Sequence, residues 1–388
     1  MKVLVIHITG LATPGHEELG GRSLLQCATA KALDEMARYG SCGTGALLPE
    51  GVIGGAGWEL LTLLGTAEEG AELPSLGALE ATAIEAPMYA RDVAFRVNLS
   101  SLEESGLIAD TSGEGIATED ALALMAVVDE KLSTPRLRFY PGRHTTHVMV
   151  WTDGPQGLEC TPAPLATGRR LEDVLPRGDG DETLRQLVWD SVGLLNTHRI
   201  NHRRVEEGLP PVNLIWPWAP GPTPNLRHFA VRTGLRAVAL ASRLEVRGAA
   251  RAAGLRVRAP GAALGEMRGA LVAAGVENAV AYLHYDLKTL FEHPTDPEAH
   301  LEAVTRLDTD LVSPVLGEVR RSAEASRLLV LATWPETEWE VRPAAIWAAF
   351  PALRGRAAAA EEFSESAAAE AREVEAYELF REALAEMA

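Results

Sequence analysis

The run KVLVIHI, residues 2–8, is apolar at nearly every position and rich in β-branched side chains. A strand with one face in water alternates, whereas a strand apolar throughout is buried on both faces, the habit of parallel sheets covered by helices. The chain therefore reads as α/β from its first strand. RSLLQCATAKALDEMARYG (22–40) follows as a helix with Gly40 as its stop. Beyond residue 184 the same alternation returns. A helix over 184–208 precedes VNLIWPW (212–218), and further strands read AVALA (237–241), LRVRAP (255–260), AVAYLHY (279–285) and RLLVLATW (327–334). That order predicts a mostly parallel sheet with helices between its strands.

The middle of the chain has a different texture. DVAFRVNLSSL (92–102) and SGLIAD (105–110) read as a hairpin, and TEDALALMAVVDEKL (118–132) as a helix capped by Thr118. RLRFYPG (136–142) and THVMVWT (146–152) are strands, and the Pro- and Gly-rich 161–183 marks an exit. We read residues 88–180 as an inserted α+β unit, with 1–87 and 181–388 forming the core.

Composition narrows the function. With 388 residues, 47% of them apolar, the chain can bury a large core, and no uncharged apolar run is long enough to span a membrane. A formal charge of −18 argues against nucleic acid as a partner. The cysteines Cys27, Cys42 and Cys160 fit neither a disulfide framework nor a metal clip. Gly10 interrupts the first apolar run too early for a signal peptide, so a cytoplasmic location is expected. The Glu-rich C-terminal stretch reads as a solvated helix pair.

In open α/β sheets, ligands sit beyond the C-terminal strand ends. That directs attention to His7–Gly10, to GGAG (54–57) at the start of WELLTLLG, to His284–His293 and to Ala332–Trp339. Glycine turns opening a helix commonly hold an anion or present a reacting group. Here the only side chain in the turn is the methyl of Ala56.

NTHRINHRRVEEGLPPVNLIWPWAPG (196–221), with DVAFRVNL (92–99), FYPG (139–142), RGAARAAGL (247–255) and the tail from Glu361, resembles the archaeal-type cofactor-independent phosphoglycerate mutases of the alkaline phosphatase superfamily. The resemblance implies an alkaline-phosphatase-like three-layer core with an inserted cap domain. It also implies phosphoryl transfer through a serine at a helix N-terminus, assisted by two Mn, Mg or Zn ions held by Asp and His.

At the positions the resemblance assigns, most of that equipment is missing. Thr9 stands for an Asp ligand, and Gly55-Ala56-Gly57 for Gly-Ser-Asp. Thr289 replaces the Asp four residues before His293, which alone is retained as a ligand position, with Glu292 and Asp296 beside it. Thr333-Trp334 replaces an Asp-His pair. No metal cofactor is therefore expected. Of the substrate arginines, Arg96 is kept, Arg247 takes the place of a Lys, and Leu76, Glu114 and Thr146 stand where Arg is usual. Asn98 and His147 complete the candidate substrate-binding set.

The remaining candidates have structural readings. His198 and His202 belong to a structural motif, and Trp216 and Trp218 to aromatic packing. Trp334 fills an emptied site, Asp92 ends a turn, and Cys42 is a structural thiol. His144 accompanies His147. The reading carried forward is a phosphoglycerate mutase-like protein without phosphoserine chemistry, binding a small anionic metabolite or a protein partner, with a homo-oligomer as its candidate assembly. Two alternatives stay open: metal-free lyase, isomerase or transferase chemistry on the same fold, and an active mutase if the alignment is displaced.

Overall fold

The computed structural model describes residues 2–48, 55–66, 72–113, 115–143, 145–290, 296–322, 324–335, 345–353, 360–371 and 373–385. Its strands in chain order are β1 (Lys2–Thr9), β2 (Ser41–Gly45), β3 (Val93–Leu102), β4 (Ile108–Asp110), β5 (Leu137–Arg143), β6 (Thr146–Trp151), β7 (Leu214–Gly221), β8 (Ala237–Leu240), β9 (Arg256–Arg258), β10 (Val280–Asp286), β11 (Ser326–Thr333) and β12 (Ala345–Phe350). The chain divides into two compact units, Met1–Glu72 with Leu226–Ala388, and Leu73–Asn225.

Among the described residues, the first unit holds a seven-stranded sheet ordered β2-β12-β11-β1-β10-β8-β9. β11, β1, β10, β8 and β9 run parallel, and β12 and β2 join antiparallel at one side. Side chains on a strand alternate between faces, so the register sorts them. On one face Leu4, Ile6, Ile8, Ala281, Leu283, Leu328, Val330 and Ala332 pack with Leu33 and Met36, Met267 and Leu271, Val304, and Val315 of the covering helices. On the other face, register places His7 beside His284, Val5 beside Tyr282, and Thr9 between Asp286 and Thr333. The parallel core read from KVLVIHI is thus apolar on one face and carries a buried polar row on the other.

The second unit is built on an antiparallel sheet ordered β4-β3-β6-β5, with β7 along the other side of β3. Phe95, Val97 and Leu99 point toward Leu124, Met125 and Val128 of the helix Thr118–Leu132 and toward Leu184 and Leu187 of the helix Asp181–Asn196. Ala94, Val148 and Val150 face Ala81 of the helix Leu76–Ala83.

Several sequence expectations are corrected here. The second unit spans 73–225 rather than 88–180, because VNLIWPW pairs antiparallel with β3 (Asn98 opposite Trp216, Leu99 opposite Ile215) instead of joining the parallel sheet. The helix Leu76–Ala83 also belongs to it. A Cβ on Gly77 would fall 2.7 Å from the backbone nitrogen of Arg96, so helix and strand meet backbone to backbone. The helix expected over 22–40 is two, Leu24–Cys27 and Lys31–Tyr39. The second begins anew at Ala30, which has no capping side chain; buried Asp308 substitutes, accepting the N–H groups of Ala32 and Leu33 at 2.9 Å each. The helix expected over 184–208 breaks at His198, whose Nδ1 caps the helix Arg199–Glu206 by accepting the Ile200 N–H at 3.3 Å. Ala117, not Thr118, precedes the helix Thr118–Leu132. In the C-terminal pair, the helix Ala376–Ala385 buries Leu379, Phe380 and Ala383, so it is docked rather than solvated. Among the described residues no helix is long and apolar enough to cross a membrane.

The Asp308 cap gives the first prediction. Loss of an N-terminal cap costs about 1–2 kcal/mol, and here both orphan N–H groups are buried. Asp308→Ala should lower stability by that amount in urea unfolding, and Asp308→Asn, which keeps one acceptor, by less.

Candidate functional site

Within the first unit, the polar row is completed by two helices. The helix Ala56–Leu63 contributes Glu59 and the helix Leu244–Ala252 contributes Glu245. These helices touch at Gly57, where a Cβ would lie 2.6 Å from the Glu245 carbonyl oxygen; only glycine permits that approach. Ala56 opens its helix buried, 1% exposed.

At the centre is His7. Its Nδ1 lies 2.6 Å from the Tyr282 hydroxyl and its Nε2 3.1 Å from Thr333 Oγ1, with Glu59 Oε2 3.2 Å from the same nitrogen. Thr333 Oγ1 donates to Thr9 Oγ1 at 3.4 Å, and Thr9 Oγ1 is 3.0 Å from His284 Nε2. The rings of His7 and His284 meet edge to face, with centroids 5.2 Å apart. Every member of this chain is buried. At its border, Arg243 Nε holds Glu245 at 2.7 Å, while Asp286 Oδ2 meets Arg243 at 3.3 Å and Lys288 at 3.4 Å.

Burial dominates the titration of the two outer members. It holds the Tyr282 phenol well above its ordinary range, assisted by the carboxylates of Glu59 and Glu245. It holds His284 well below the usual imidazole value, and the neighbouring His7, Arg243 and Lys288 act in the same direction. A neutral, hydrogen-bonded His284 is what this surrounding favours.

The candidate residues divide accordingly. Thr9 and Thr333 are brought together, each engaged by an imidazole. Thr289 is exposed and outside the chain, donating to the Asp286 carbonyl at 2.8 Å. Trp334 packs half-buried against the apolar core. Arg247 is half-buried on the helix Leu244–Ala252. His293, with Glu292, Trp339 and His144, lies outside the described residues. Among the described residues, no group of three or more His, Cys, Asp or Glu is placed to hold a metal ion. Cys42 is buried in β2, where desolvation pushes its thiol up.

In the second unit Arg96 and Asn98 share a face of β3. Arg96 Nε lies 3.4 Å from Glu80 Oε1, and its guanidinium stacks over Trp218, 5.4 Å from the ring centroid. Only 13% of the Arg96 side chain is exposed, and no further side-chain hydrogen bond or ion pair joins it to the described residues. Asn98, by contrast, is occupied on both sides: its Oδ1 accepts the Trp218 indole N–H at 2.8 Å and its Nδ2 donates to the Thr111 carbonyl at 2.8 Å. His147 is fully buried, its Nδ1 accepting the Gly142 N–H at 3.1 Å. Both serve the scaffold. Asp92 closes its turn through the Tyr89 N–H, as expected.

The family model for 2,3-bisphosphoglycerate-independent phosphoglycerate mutase matches residues 37–201. The enzyme of that name from Methanothrix thermoacetophila is 32% identical over 350 residues, covering 88% of each chain. This chain belongs to the 2,3-bisphosphoglycerate-independent phosphoglycerate mutase family. The mutase of Methanosarcina acetivorans is likewise 32% identical over 344 residues, 86% of each chain. Among solved structures, a protein of Pyrococcus horikoshii matches with a TM-score of 0.75 at 19% identity, over 100% of this chain and 97% of that one. The cofactor-independent phosphoglycerate mutase of Thermoplasma acidophilum matches at 0.56 and 16% identity, over 97% and 98%. Those two likenesses concern the fold. The mutase family thus supplies the architecture, a mixed α/β chain with a mostly parallel central sheet and a separate antiparallel one.

Sequence reasoning missed His7, Glu59, Tyr282, Arg243 and Glu245 as members of one cluster. Two signals were available: His7 is the lone polar residue inside KVLVIHI, and Glu59 the lone charge inside WELLTLLG. A lone ionisable group in an apolar element is buried with a partner or turned to solvent.

The depressed His284 fixes a pH dependence. A folded value below the unfolded one, about 6.5, means the contribution is complete above that pH and is lost as pH falls below it. Stability should decline by up to about 1.4 kcal/mol per pH unit in that acid window. Urea unfolding between pH 7.5 and 5 measures the slope, and His284→Gln should flatten it.

Proposed function

We propose that this phosphoglycerate mutase-like chain has lost metal-assisted phosphoryl transfer and retains the fold to bind a small anionic metabolite. One observation carries the reading: where the family resemblance calls for anionic metal ligands, Thr9 and Thr333 offer neutral hydroxyls already engaged by His284 and His7. Two divalent ions need carboxylates to balance their charge. Glu59, the carboxylate nearest His7, is drawn into the same buried cluster. The described residues do not fit a binuclear centre. Ala56 supplies a methyl group where the resemblance places the nucleophile, and a methyl group cannot attack phosphorus.

Arg96 supports the binding half of the proposal. Its guanidinium is fixed by Glu80 and Trp218 and has donors left over. A planar cation with preset geometry suits a carboxylate or phosphate. A hydrogen-bonded charged contact contributes about 1.5–3 kcal/mol, so Arg96→Gln should weaken binding of 3-phosphoglycerate or a related anion by about ten- to a hundredfold, read by calorimetry.

The loss of chemistry is tested on protein purified from cells grown with excess manganese and zinc. Metal content should be substoichiometric, and 3-phosphoglycerate mutase and phosphatase assays should stay at background. Ala56→Ser alone should not restore turnover. Stoichiometric metal together with mutase turnover would overturn the proposal.

A further inference from the structure

The buried chain has a direction, and the direction ends on an atom with no hydrogen-bond partner among the described residues. Glu59 Oε2 faces His7 Nε2 at 3.2 Å. A bare nitrogen lone pair that close to a carboxylate oxygen is repelled, so the His7 proton sits on Nε2 and Nδ1 accepts the Tyr282 O–H. His7 Nε2–H then donates to Thr333 Oγ1, Thr333 donates to Thr9, and Thr9 donates to His284 Nε2. His284 Nε2 is thereby an acceptor. A neutral imidazole with Nε2 accepting carries its proton on Nδ1. His284 is 1% exposed, and among the described residues its Nδ1 has no hydrogen-bond partner.

We propose that the Nδ1–H of His284 is the anchor of a buried one-oxygen binding site, and that Glu59 sets this donor from a distance through Thr333 and Thr9. The shared chemistry of the occupant is a hydrogen-bond-accepting oxygen. Its two sources are an internal water molecule and an oxygen of the anionic metabolite, the second resting on the function proposed above. A fully buried N–H left without an acceptor is rare in folded proteins, and ordered water commonly fills such places. The charged groups around this end are Arg243 and Lys288, with Asp286 and Glu245 opposing them.

Glu59 acts here as a positioning residue, and its role has a spectroscopic signature. In full-length protein labelled with nitrogen-15 on histidine, His284 should show the Nδ1–H tautomer and His7 the Nε2–H tautomer. Thr9→Val, nearly isosteric with threonine, removes the donor to His284 Nε2 and should release its tautomer preference while His7 keeps its own. Thr333→Val does the same one link earlier and serves if Thr9→Val fails to fold. Glu59→Gln should leave both rings as mixtures. A merely structural role for these residues would change stability without moving the tautomers.

Inorganic phosphate at tens of millimolar distinguishes the sources. A saturable shift confined to His284 Nδ1 identifies an oxyanion, whereas no shift together with cross-relaxation from Nδ1–H to a long-lived water identifies the internal water. An Nε2–H tautomer at His284 in the wild-type protein, or an unchanged one in both valine variants, would overturn the proposal. Neither result bears on whether metal or mutase turnover is present, so this inference and the loss of phosphoryl transfer stand or fall separately.

Discussion

A polar row on one face of a buried parallel sheet must find partners inside the protein, because it is shut off from bulk solvent. In this chain that requirement falls on His7, Thr9, Tyr282, His284 and Thr333, and it is met by hydrogen bonds among them together with Glu59. An unmade hydrogen bond in such a place costs about 1–3 kcal/mol, so the row holds β1, β10 and β11 in one register as firmly as the apolar face behind it. Glu59 and Glu245 bring their helices to the sheet, and Gly57 lets those helices close to backbone contact. The organisation of the first unit follows from satisfying this one face.

The same face is compatible with the proposed loss of a binuclear centre. A pair of divalent ions would concentrate positive charge and draw in carboxylates. Threonine hydroxyls and neutral imidazoles need no such charge, and they close on one another at ordinary hydrogen-bond distances. Trp334 adds bulk at the end of β11. The second unit presents different chemistry: Arg96, stacked on Trp218 and paired with Glu80, remains a cation with donors to offer.

Much of this was legible in the sequence, for physical reasons. KVLVIHI and RLLVLATW are largely apolar because both faces of their sheet are covered, and their position in the parallel sheet follows. VNLIWPW has the same texture yet belongs to the antiparallel sheet, since buried strands of either kind look alike and only pairing with β3 tells them apart. Helix breaks at Ala30 and His198 were hidden because their caps come from Asp308, remote in sequence, and from a histidine, an uncommon capping residue. At the site, Thr9 and Thr333 were found through family positions. Their partners His7 and Tyr282 lie within strands, and Glu59 lies in a helix far along the chain; only the fold joins them. Asn98 and His147 looked like binding residues because side-chain type does not reveal that the Asn98 amide and the His147 Nδ1 are already engaged.

The reading proposed above is that a buried hydrogen-bond chain of threonine hydroxyls and imidazoles stands where the family resemblance places a binuclear centre. The most direct measurement is the thermal unfolding midpoint of the full chain with manganese or zinc added over micromolar to millimolar concentrations. A ligand that binds only the folded state adds about 4 kcal/mol of stability at a thousandfold excess over its Kd. The account predicts a midpoint that does not rise with either metal. A saturable rise of several degrees, lost when Thr9 and Thr333 are both changed to valine, would contradict it.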